Sequence, residues 1–210
     1  MQVLQPKKML ATIAISTGLA ISLPASAIVM SYGGLGGAIP PTGTSGVFSS
    51  AISVADDLLI NDVSVTLNDF SHSWTGDILA TLTYDDGTNP TSSIELFGAA
   101  GVLGSSVDAG GTYTFADGGS SGFPGFGLGN PMASGTYAPD ESFSAFDGLS
   151  SDALWTLSLN DQFGGDSGYL RSWTLTIDGD PASVPEPSSL ALLGLGLAGL
   201  GFNRRRKALK

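Results

Sequence analysis

The sequence holds one histidine, His72, flanked by Ser71 and Ser73 and followed by Asp77. Imidazole beside hydroxyls and a carboxylate is the material of a serine hydrolase, in which a base takes the nucleophile's proton and an acid orients the base. Serines occur throughout the chain, however, and no Gly-x-Ser-x-Gly turn singles one out as a nucleophile. A glycosidase needs only two carboxylates at a set separation, and no spacing among the aspartates marks such a pair. The sequence therefore predicts no catalytic residue and a non-enzymatic protein.

Metal binding is the next chemistry to test. One histidine and no cysteine disfavour zinc. Calcium takes oxygens from Asp, Asn and loop carbonyls, and Asn160, Asp161 and Asp166 fall within one short stretch. Packed carboxylates repel, and a divalent cation would relieve that repulsion. The same residues also read as solvated turn aspartates, which bond their own backbone. Both readings stand.

A glycine-rich stretch from Gly118 to Ala138 carries Phe123, Phe126 and Tyr137. Its GFPGFGLG segment has no lysine and opens no helix, so it is not a phosphate loop. The sequence reads it as a surface excursion whose aromatics either pack down on the body or form a contact surface that stacks on sugars.

These residues must be positioned by strands. Val63, Val65 and Leu67 alternate with polar neighbours, as do Trp155, Leu157 and Leu159, and then Trp173, Leu175 and Ile177. Shorter signals cover Asp77–Tyr84, Ile94–Phe97 and Thr112–Phe115. The two tryptophan-bearing runs, joined by an Asp/Gly loop, predict a hairpin whose face fills a core. With 30 glycines, evenly spaced strands and no convincing internal helix, the expected fold is an all-β antiparallel sandwich. No cysteine means no disulfide supports it.

From Ile28 to Val184 there are 18 acidic residues and one basic residue, Arg171, a net charge of −17. Phosphate backbones are repelled by such a body, so nucleic acid is excluded as a partner.

The two ends carry addresses. Lys7 and Lys8 precede the apolar run Met9–Leu23, and Pro24-Ala25-Ser26-Ala27 follows. That order predicts a secretory signal peptide, with Ala25 and Ala27 at the −3 and −1 positions of a signal-peptidase site. At the other end, Pro185-Glu186-Pro187 precedes an uncharged run, Ser188–Phe202, and then Arg204, Arg205, Arg206 and Lys207. As a helix that run reaches about 22 Å, short of a hydrocarbon core of about 30 Å. It predicts a short transmembrane helix serving as a temporary handle, with the basic end inside.

The tripeptide, apolar helix and terminal arginines, in that order, resemble the PEP-CTERM sorting signal of Gram-negative bacteria. The resemblance implies recognition by exosortase, cleavage near Pro185-Glu186-Pro187, and association with exopolysaccharide and biofilm. A second resemblance covers the body, roughly Ala55 to Asp180. Phe70-Ser71-His72-Ser73-Trp74-Thr75-Gly76-Asp77-Ile78, Phe115-Ala116-Asp117, Gly135-Thr136-Tyr137-Ala138-Pro139 and Gly168-Tyr169-Leu170 before Trp173 are similar in order to the P domain (P/Homo B) of proprotein convertases. It implies a jelly-roll sandwich, a structural role for His72, and acidic turn positions at Asp77 and Asp117 that complete the candidate calcium set. The protease domain that normally precedes a P domain is missing, so its peptidase activity does not transfer.

The resulting organisation is a signal peptide (1–27), a flexible lead-in (28–54), a P-domain-like sandwich (55–180), a linker with the tripeptide (181–187), and a membrane helix with basic tail (188–210). The function expected is that of an exported, exosortase-sorted surface or matrix module, tethered at the inner membrane and then moved to the cell surface or beyond. Its partners are the secretion machinery, exosortase, and exopolysaccharide or a surface protein. Two alternatives are a calcium-assisted glycan- or protein-binding module and an accessory to a separately encoded subtilisin-like serine endopeptidase.

Overall fold

The computed structural model describes residues 26–40, 45–98, 107–123, 129–182 and 194–197. Nine strands form two facing sheets. One has the order β1 (Ile28–Ile39), β9 (Gly168–Pro181), β3 (Leu58–His72), β6 (Ala109–Ser120), β7 (Gly135–Tyr137). The other runs β2 (Gly46–Val54), β8 (Ala153–Asp161), β4 (Ile78–Asp85), β5 (Ser92–Phe97). All pairings are antiparallel except β6 with β7. The expected all-β sandwich is what the chain forms.

Period-2 alternation puts one side of each strand between the sheets. Val63, Val65 and Leu67 of β3 face Leu157, Leu159 and Leu82 of the other layer within one continuous core. Rings fill the rest. Phe70, Phe97, Tyr113, Phe115, Phe123 and Tyr137 stack at one end with centroids 4.8–6.3 Å apart, and Tyr84, Phe146 and Trp155 meet at 5.0–6.0 Å elsewhere. Their polar atoms have partners, as buried Tyr and Trp require. Tyr113 donates to the Met132 carbonyl, Tyr84 to that of Ser150, and Trp155 to that of Ser151.

Three expectations are corrected. Residues 28–54 are not a flexible lead-in: β1 and β2 occupy most of them, paired with β9 and β8. The alternation in β1 is hidden by glycine, because other strands supply the missing bulk. Trp173 fills the place of a side chain at Gly34, its partner across the ladder, and Phe48 packs against Gly37. The Trp173 indole then donates to Ser50 Oγ at 3.0 Å, tying β9 to β2 in the opposite sheet.

The two tryptophan strands do not form a hairpin either. β8 lies between β2 and β4, while β9 lies between β1 and β3. Both are flanked on each edge and buried along one face, so each takes an interior place in its own sheet. The loop between them is an arch from one sheet to the other. The glycine-rich stretch is likewise more regular than a surface excursion: β6 continues to Ser120, Tyr137 closes β7, and Phe123 and Tyr137 are buried.

Candidate functional site

His72 ends β3 and Asp161 ends β8, so the pair joins the two sheets at one pole of the sandwich. Both are buried. The Trp74 N–H donates to His72 Nδ1 at 3.1 Å, which leaves the proton on Nε2, 3.3 Å from Asp161 Oδ2. Asp161 Oδ1 accepts the Phe163 N–H at 3.0 Å, and Gln162 N–H donates to the Asp77 carbonyl. Both imidazole nitrogens are therefore committed to holding the β3–β4 turn against the β8–β9 arch. In this arrangement neither is available to a serine hydroxyl. Replacement of Gly168, whose missing side chain makes room for the imidazole, would break this packing.

The five candidate calcium ligands do not converge. Asp77, Asp161 and Asp166 share the histidine pole, where Asp166 accepts a hydrogen bond from Ser73 at 2.9 Å. Asn160 alternates with Asp161 along β8 and sits on the outer face between Val47 and Leu79. Asp117 lies near Asp62 at the opposite pole, where it accepts from Ser142 Oγ at 2.7 Å and Phe143 N–H at 3.0 Å and so caps the turn Phe143–Phe146. Among the described residues no three His, Asp or Glu side chains are arranged to hold a metal ion. Of the three aromatics expected to contact a ligand, Phe123 and Tyr137 are in the core and cannot stack on a sugar without leaving it. Phe126 lies outside the described residues.

Charge is concentrated at the poles and loops. Burial raises the carboxyls of Asp62, Asp77, Glu95 and Asp140 above their ordinary range, and neighbouring carboxylates add to it: Asp161 and Asp166 beside Asp77, Asp140 and Glu141 beside Glu95. The folded state therefore holds these protons more tightly than the unfolded chain. Stability should rise as the pH falls from neutrality through the raised values toward the ordinary 3.8 of aspartate and 4.5 of glutamate. Thermal melts should show a higher Tm at about pH 5 than at pH 8; a lower one would contradict the assignment. Exposed Asp86 acts in the opposite sense, since the Asn89 and Thr88 groups that hold its carboxyl low lose their charged acceptor on acidification.

The middle of each outer face is uncharged. Gly33, Thr174, Thr66 and Thr114 align across four strands of one sheet, and Ala51, Thr156, Thr83 and Ser93 across the other. Thr66 and Thr114 hydroxyls bond at 2.9 Å, Thr83 and Ser93 at 3.1 Å, and Asn68 donates to Thr174 at 3.1 Å. These rows form a regular hydroxyl lattice with the strand spacing of the sheet.

The first residue of β1 and the last of β9 lie at the pole opposite His72. Ile28 pairs with Gly179, Pro181 pairs with Leu58, and the Ala182 N–H bonds the Asp57 carbonyl at 3.1 Å. An open cavity of about 510 Å³ lies there, walled by Asp57, Leu59, Ser150, Asp180 and Pro181. The body's last strand thus ends at Pro181, with only Ala182 between it and Ser183. Residues 183–207 match the family model described as the PEP-CTERM protein-sorting motif. The tail is a PEP-CTERM motif.

The PEP-CTERM motif marks an exported protein, processed at the membrane and recognised by exosortase and the secretion machinery. Pro185, Glu186, Pro187 and the arginines Arg204, Arg205 and Arg206 fall within the match but outside the described residues; Ala25, far from the match, is also outside the described residues. Ala27 is exposed and directly precedes β1. Of the expected tail helix, residues 194–197 are helical, and no helix among the described residues is long and apolar enough to cross a membrane.

No curated protein matches the chain. Two solved structures are similar in part: a serine protease of Aeromonas sobria, at 18% identity and a TM-score of 0.42, covering 78% of this chain and 28% of that one; and the same organism's serine protease in complex with the chaperone ORF2, at 15% identity and 0.41, covering 76% and 28%. The chain thus spans little more than a quarter of either.

Proposed function

We propose that this is a non-enzymatic module of the cell surface or extracellular matrix, delivered through its signal peptide and PEP-CTERM tail, that holds a neutral exopolysaccharide against its outer sheet faces. The supporting observation is the placement of charge. A body of net charge −17 keeps the central rows of both outer faces free of ionised groups and places Thr or Ser at six of their eight positions, with Gly33 and Ala51 at the other two. An uncharged polyhydroxy polymer can exchange hydrogen bonds with such a lattice without meeting repulsion, whereas an acidic polymer meets carboxylates around its edges. Buried Phe123 and Tyr137 take no part in this reading.

The motif order from Phe70 to Trp173 supports a P-domain-like body, with the His72–Asp77 segment forming the turn between β3 and β4. Calcium enters the proposal only as a cation that would relieve the repulsion of Asp161 and Asp166 on Asp77 at the histidine pole, where the three side chains form no ready-made site. A second role, as an accessory to a separately encoded subtilisin-like endopeptidase, rests on the same motif order.

Co-sedimentation with insoluble neutral and acidic polysaccharides tests the proposal. The exported protein should pellet with neutral polymers, and Thr174→Asp with Thr156→Asp should weaken binding at least about tenfold, roughly 1.4 kcal/mol. Calcium should strengthen binding and a chelator reduce it if the three aspartates order the arch. Failure to bind neutral polymers, or equal binding by the charged double variant, would remove the polysaccharide role; co-purification with a protease instead would favour the accessory role.

A further inference from the structure

The two sides of the sandwich treat their sheet edges differently. On one side, β5 is short and its register slips against β4 between Ala80 and Thr81. Its free edge is already occupied: Asp140 N–H and Glu141 N–H donate to the Leu96 and Glu95 carbonyls, each at 3.0 Å, while Glu95 N–H donates to the Glu141 carboxylate at 2.8 Å. β7 beside it is three residues long. Short strands, a slipped register and acidic side chains are the means by which proteins keep sheet edges from pairing with other chains.

The other side has none of these. β1 and β2 are the edge strands there, 12 and 9 residues long, and they lie next to one another. Their ladders to β9 and β8 run without a register shift. Neither strand contains a proline, and no charged residue occurs from Ile28 to Val54. Among the described residues, no backbone group of β1 or β2 bonds to anything beyond β9 and β8. Leu35, 84% exposed, and Val29, 63% exposed, stand beside the open β1 edge.

We propose that the β1 edge is a self-association surface, on which a second copy of this chain adds its own β1 antiparallel about a two-fold axis. Antiparallel pairing of one strand with itself is isologous, so every backbone donor on one copy finds its acceptor on the other. Charge selects the site and the partner. Two bodies of net charge −17 repel wherever they present carboxylates, and β1 and β2 carry no charged residue of their own, the carboxylates beside them being Asp56, which accepts from the Tyr32 hydroxyl, and Asp178, which pairs with Val29. The pairing would join two five-stranded sheets into one and cover the apolar residues beside the edge. This inference does not depend on polysaccharide binding.

Analytical ultracentrifugation of the full exported chain over a range of concentrations tests it. The wild-type protein should sediment with twice the monomer mass at high concentration, and Ser31→Glu with Leu35→Glu should return it to monomer without lowering its Tm. Ser93→Glu on the β5 side should leave the dimer intact. In wild-type protein, hydrogen exchange of β1 amides should slow as concentration rises, which keeps the test decisive even if the double variant folds poorly. A monomer at all concentrations, an undiminished dimer in the β1 variant, open-ended polymers, or unchanged β1 exchange would each overturn the two-fold pairing.

Discussion

Trp173→Ala should destabilise the sandwich by about 3–5 kcal/mol. The indole is fully buried, occupies the space opposite Gly34, and donates through Nε1 to Ser50 Oγ in the facing sheet. Its removal leaves a cavity between the sheets and an unbonded hydroxyl on β2. Typical domains have about 5–15 kcal/mol in total, so this one change consumes a large share. At roughly 2–4 °C per kcal/mol for a domain of this size, the Tm should fall by about 6–20 °C. Trp173→Phe keeps most of the apolar volume and loses the donor, so its cost should be nearer 1–2 kcal/mol. Urea titration measures both. A loss under about 1 kcal/mol for the alanine variant would mean that the indole is not what holds β1 and β2 to the body.

The second large effect lies outside the body. Replacing Pro185, Glu186 and Pro187 with alanines should abolish C-terminal processing. Proline fixes its own φ and disfavours helix at the residue before it, and Glu186 is the one acidic residue in the motif. The alanine variant removes both backbone restrictions and that acid. Intact-mass measurement of the protein from its native host should show the wild type truncated near the tripeptide and the variant retaining Arg204–Lys207, held in the membrane fraction. Identical termini in both would show that the tripeptide does not direct processing.

What the sequence disclosed followed the physics of each segment. β3, β8 and β9 could be read directly because their inward positions carry Val, Leu, Ile or Trp in strict alternation, and nothing but a half-buried strand produces that period. β1 could not, because its inward positions at Gly34 and Gly37 are filled from Trp173 and Phe48, far away in the chain. A missing side chain completed by a remote one leaves no local pattern. The hairpin expectation failed for a related reason: alternation shows which face of a strand is buried and says nothing about its neighbours. Hence β8 and β9 could be drawn together in sequence yet lie in different sheets.

The candidate sites divide in the same way. For His72, the lack of an elbow serine beside it was legible. Its grip on Asp161 was not legible, because 89 residues separate the two and only the ends of β3 and β8 bring them together. Asp117 and Asp161 looked equivalent as turn aspartates but lie at opposite poles, a distinction made by strand direction alone. Residues 28–54 contain no charged side chain, a feature of composition that the flexible lead-in reading passed over. Its meaning appeared only once both strands were found at open edges.

The position of the last strand also has a mechanical consequence. β9 runs between β1 and β3, hydrogen-bonded to both along nearly its whole length, as far as Pro181. Tension applied to the chain at Pro181 would pull β9 lengthwise, so the bonds on both flanks are sheared together instead of being peeled one by one. Unfolding from that end would then be governed by a slow cooperative rupture of both ladders.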